Sequence, residues 1–194
     1  MEHKAFLFDT AKYHAEIEKI IEKCCESGDS SLAEQYINEH LEQCSSPYTG
    51  EPLEQGWEQE SETGDIQEYF DFLLTACYDC GDDMGLSYAW DAVNEVIKQL
   101  DFMEDAEKCV LGTAVSFHGT AVDPGRMGLG LVDAAEVGWL KEKLSENRGR
   151  LETASLSEDQ MYDMEQDEIF DAYGELCGIY EQAEKQGKGV LFTF

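Results

Sequence analysis

Apolar residues along this chain recur at two periods, and the alternation between them divides it into elements. Lys4 to Phe8 is a short apolar and aromatic run that reads as a strand. Asp9 or Thr10 then caps a helix whose apolar positions Tyr13, Ile17, Ile20, Ile21 and Cys24 follow helical spacing up to Gly28. Asp29 or Ser30 restarts a second helix through Leu32, Tyr36, Ile37, Leu41 and Cys44, so the two form a helical hairpin. Residues 45–64 lose all periodicity. With Pro47, Gly50, Pro52 and Gly56 among glutamates, they predict a long acidic loop, and Tyr48, Leu53 and Trp57 are its apolar anchors.

Asp65 to Cys80 carries Ile66, Tyr69, Phe70, Phe72, Leu73, Leu74 and Cys77 and predicts a buried helix, with a strand from Phe70 to Ala76 as the alternative. Leu86 to Leu100 is amphipathic, with Trp90, Val93, Ile97 and Leu100 on one side. Val110 to Phe117 fits either a strand or a short buried helix. The most densely specified passage is Thr120 to Leu144. There Asp123-Pro124-Gly125 is a turn followed by Arg126, and Gly128 to Val132 is suited to run extended close to another backbone. Asp133 with Glu136 three residues on then forms a capping box for a helix striped by Val137, Leu140 and Leu144. Ser157 is the candidate cap of a last helix from Glu158 to Gln186, in which Gly174 and Gly178 suggest close packing. Val190 to Phe194 is a terminal strand. The expected fold is a predominantly helical α+β single domain, 1–194, with a small sheet that includes both terminal strands and is helix-covered on at least one face.

The segments Leu86 to Val93, Gly128 to Val137 and Ile179 to Gly187 with the strand after it resemble the YfbM-like family of bacterial domains of unknown function. The resemblance covers roughly residues 86–194. It implies a compact bacterial α+β domain and transfers no catalytic residue.

Charge changes the picture more than length does. The 194 residues carry 43 acids against 13 Lys and Arg, a formal net charge of -30. Capture of a nucleic acid backbone needs clustered cations, so a nucleic acid partner is not expected, nor is an anionic membrane surface. The chain also has no apolar run near the ~20 residues of a membrane span, and a strand-like segment stands where a signal peptide's charged head would, which places it in the cytoplasm by expectation. Seven cysteines are expected to stay reduced, with Cys24, Cys109 and Cys177 in the core.

Candidate chemistry is sparse. Cys77 and Cys80 have CxxC spacing, and His40 with Cys44 at i,i+4 would complete a Cys3His set, but no second CxxC supports zinc and nearby aspartates oppose a reactive thiolate. Asp79, Asp82 and Asp83 lack the EF-hand pattern, and Gly125 to Gly130 does not reproduce a nucleotide-binding fingerprint. No cofactor or metal is expected. The favoured reading is a non-enzymatic acidic interaction protein of the immunity or inhibitor kind that binds a basic partner. Its contact residues would be Tyr48, Glu51, Glu54, Trp57, Glu58, Glu60, Glu62 and Tyr162, with the acids of Glu158 to Asp171 as a second face. The rival is a small enzyme or ligand-binding domain with a pocket at His118, Asp123 and Arg126.

Overall fold

The computed structural model describes residues 1–61, 63–154 and 163–194. In chain order the elements are β1 (Lys4–Phe8), α1 (Thr10–Lys12), a π-helical segment (Tyr13–Ile17), α2 (Glu18–Ser27), α3 (Ser31–Glu39), α4 (Ile66–Leu74), α5 (Trp90–Leu100) and α6 (Lys108–Leu111). The short strands β2 (Thr113–Ala114), β3 (Ser116–Phe117) and β4 (Thr120–Ala121) follow, then β5 (Leu129–Val132), α7 (Ala134–Asn147), α8 (Gln166–Gln186) and β6 (Gly189–Thr193).

The main sheet is antiparallel, in the order β1-β6-β5-β2, so the terminal strand lies at its centre, paired with the first. Side chains alternate across it. Ala5, Val132, Val190 and Phe192 join the core under α5, α7 and α8, whereas Phe8 and Leu191 join the core under α2, α3 and α4. Helices therefore cover both faces, giving three layers and two cores.

Local chemistry explains the joints. The Asp9 carboxylate accepts the Lys12 amide at 2.9 Å and opens α1, and Gly28, at φ 70°, closes α2 in the left-handed conformation. Gly130 is required by proximity, since a Cβ there would collide with the Leu111 carbonyl oxygen; β5 runs against the end of α6 as its glycines predict. Two buried tyrosines lock α8 in place: the Tyr173 hydroxyl donates to the Leu144 carbonyl at 2.7 Å and that of Tyr180 to the Cys109 carbonyl at 2.9 Å.

Several expectations need correction. Asp65 to Cys80 is helical up to Leu74 and continues as a 3-10 turn to Cys77, so the strand alternative is excluded. The helix after Gly85 begins at Trp90, because Ser87 takes φ 49° while its backbone pairs with His3. The box at α7 is half formed: Asp133 accepts the Ala135 amide at 2.9 Å, but the Glu136 carboxylate turns to Lys108. Glu165 caps α8 in a complete box with Glu168, and the expected cap Ser157 lies outside the described residues. Gly178 meets nothing within 4 Å of a built Cβ, so it is not a close-packing glycine.

In the stretch from residue 45 on, Leu53 and Trp57 are buried as the expected anchors while Tyr48 is exposed, and the backbone is more ordered than a loop: Ser45 bridges Pro52, and residues Trp57–Glu60 form a 3-10 turn. The Trp57 indole donates to Asn38 on α3 at 3.0 Å, and its ring packs on Tyr69 and Phe72. At the far end, Glu68 collects the Ser61 hydroxyl at 2.8 Å, the Thr63 amide at 3.0 Å and the Gly64 amide at 3.2 Å. The stretch is pinned at both ends.

Candidate functional site

Two features arise from this scaffold, an acidic ridge and a cleft beside it. On the ridge, Glu51, Glu54 and Glu60 are exposed and Glu58 is half-buried, all carried by the backbone that Leu53 and Trp57 anchor. Tyr48 is 60% exposed, with its ring edge against Phe72, and stands available for contact. Trp57 does not, at 2% exposure; it is a core residue that shapes the ridge rather than a contact. Glu62, Tyr162 and Glu158 lie outside the described residues. On the second acidic face, Glu165, Asp167, Phe170 and Asp171 line a shallow hollow, and the Arg148 guanidinium sits 5.8 Å from the Phe170 ring centre.

The expected pocket at His118, Asp123 and Arg126 is not assembled. His118 is an exposed residue at φ 51°, its Nε2 3.7 Å from Glu22 on α2. Arg126 bonds Asp65 at 2.6 Å, and the Asp123 carboxylate accepts the Gly128 amide at 3.0 Å. Gln67 on α4 fixes the turn further, accepting the Asp123 amide at 2.9 Å and donating to the Ala121 carbonyl at 2.8 Å. These residues dock the 121–128 segment onto the start of α4, a structural task.

That docking creates the cleft. Pro124, Gly125 and Gly128 form one wall and Pro47 another, and the sheet face supplies Lys4, Phe6 and Phe194, around a volume of about 140 Å³. Asp71 and Leu74 on α4, Tyr78 and Cys80 beyond it, and Leu129, Leu191 and Thr193 of the sheet complete the lining. The Phe6 and Tyr78 rings pack at a 40° tilt with centroids 4.7 Å apart, and Phe194 is held edge-on to Trp90 at 4.9 Å. Burial, reinforced by the charge of Glu68, pushes the Asp71 carboxyl up to about 6. The sequence carried a signal for it, an acid between Phe70 and Phe72 inside a buried helix, which the reading of that helix as core passed over.

Burial works against thiolate chemistry at Cys44 and Cys77. All seven cysteines are free thiols, and burial pushes Cys77 up to about 12 and Cys44 up to about 11, which opposes a nucleophilic thiolate. His40 lies past the end of α3 and directs Nδ1 at the Tyr36 carbonyl, 2.8 Å away, so the helical i,i+4 geometry with Cys44 does not exist. Among the described residues no group of three or more His, Cys, Asp or Glu is placed to hold a metal ion, and no helix is long and apolar enough to cross a membrane.

Comparison with family models, curated proteins and solved structures finds no match to this chain.

Proposed function

We propose that this protein is a non-catalytic binding protein of the immunity or inhibitor kind, which engages a basic protein through the ridge at residues 51–60. The observation that carries the reading is the anchoring of that ridge: Trp57 and Leu53 are buried beneath Glu51, Glu54, Glu58 and Glu60, so the anionic surface is ordered before any partner arrives. A preordered contact surface loses less conformational entropy on binding, and a net charge of -30 accelerates encounter with a cation. Raised thiol pKa values and the separate structural employment of His118, Asp123 and Arg126 favour binding over catalysis.

The test compares wild type with a variant carrying Glu51→Gln, Glu54→Gln, Glu58→Gln and Glu60→Gln. Against a basic partner captured by the wild type, the variant should associate more slowly while melting at nearly the same temperature. Equal association rates would remove the ridge from the interface. In this reading Tyr48→Ala raises the dissociation rate, since Tyr48 is the exposed aromatic of this surface whereas Trp57 is buried.

A further inference from the structure

The cleft carries an inference of its own, separate from the ridge. Asp71 is the one side-chain carboxylate in its lining, and none of the described residues gives it a hydrogen bond or an ion pair. The charge that acts on it most is that of Glu68, of the same sign, and Glu68 already has its donors from Ser61, Thr63 and Gly64. Lys4 lines the same cleft without reaching ion-pair distance. A partly buried carboxylate without a donor is costly in a folded protein, and clefts are where such groups persist because a ligand supplies the partner.

The walls narrow the ligand further. Phe6, Tyr78 and Phe194 present aromatic surface, which attracts both apolar bodies and cations. A Cβ at Gly128 would come within 3.1 Å of the Phe194 ring, and φ 114° there disfavours any side chain, so glycine keeps this wall open. An anion is repelled by Asp71, and a neutral apolar molecule brings it no donor. We propose that this cleft is a binding site for a small organic ammonium ion, with Asp71 as counter-ion and Phe6, Tyr78 and Phe194 around its apolar body. The volume of about 140 Å³ suits a single ring or a short alkyl chain. Such an ammonium comes either from a free amine or from a lysine side chain of a polypeptide.

The experiment titrates the whole protein with benzylamine, benzyl alcohol, benzoate and Nα-acetyl-lysine-N-methylamide, read by calorimetry and by NMR shifts of Gly125 and Gly128. At least one amine should bind about tenfold or more tighter than benzyl alcohol, with benzoate weakest. Tighter binding of benzylamine identifies a free amine as the ligand, and tighter binding of the lysine derivative identifies a side chain; either supports the site. Asp71→Asn, checked for its fold by circular dichroism, should erase the preference of amine over alcohol. Absence of saturable amine binding, or equal binding of benzylamine and benzyl alcohol to the wild type, overturns the proposal whether or not the variant folds. So does an amine preference that survives in a folded Asp71→Asn.

Discussion

At the scale of single residues, His3 and Asp71 oppose each other in their response to pH. His3 is buried; its Nδ1 accepts the Leu86 amide at 3.0 Å, which leaves Nε2 protonated to donate to the Val110 carbonyl at 2.8 Å. Burial, outweighing the pull of that carbonyl and of Asp83, holds its pKa below the ordinary value. The unfolded chain therefore takes up a proton that the fold resists, so the stability tied to His3 is whole above ~6.5 and falls away as pH drops below it. For Asp71 the sign reverses. Its carboxyl is raised to about 6, so its destabilising contribution is absent below the ordinary carboxylate range and complete above about 6. Asp71→Asn should then raise stability near neutral pH by roughly 1 to 3 kcal/mol, with the gain shrinking towards pH ~4. Urea unfolding across that range checks it, and a constant difference would refute the assignment. Trp57→Ala removes a buried ring and its bond to Asn38, and should cost ~3 to 5 kcal/mol in the same assay.

Among the elements, what was legible in the sequence was what short-range pattern dictates. Lys4 to Phe8 was readable to the residue, as were the turn at Gly28 and the stripe of Val137, Leu140 and Leu144, each fully buried. Contacts between distant segments were not. The ridge looked like a loop because its order comes from Asn38, Tyr69 and Glu68, none of them within its own stretch. The cleft was illegible for the same reason, since residues from Lys4 to Phe194 line it. The central place of β6 makes one further expectation sharp. Its loss strips Val190, Leu191 and Phe192, each at most 2% exposed, and leaves β1 and β5 without a partner between them. At roughly 1.5 to 3 kcal/mol per buried side chain against a margin of ~5 to 15, deletion of residues 190–194 should abolish cooperative melting. A truncated chain that melts cooperatively near the wild-type temperature would contradict this topology.

For the whole molecule, the excess of 43 acids over 13 Lys and Arg is the dominant property, and self-repulsion of that size should make the thermal midpoint rise with added salt. Binding should respond in the opposite direction. The measurement that bears most directly on the account is the association rate of a captured basic partner as a function of ionic strength, for wild type and for the variant neutralised at Glu51, Glu54, Glu58 and Glu60. Raising salt from ~0.01 to ~0.15 M shortens the screening length from ~30 to ~8 Å, so the wild-type rate should fall steeply and the variant should start slower and fall less. A wild-type rate indifferent to salt, or a variant with the same rate and slope as wild type, would contradict the acidic ridge as the binding surface.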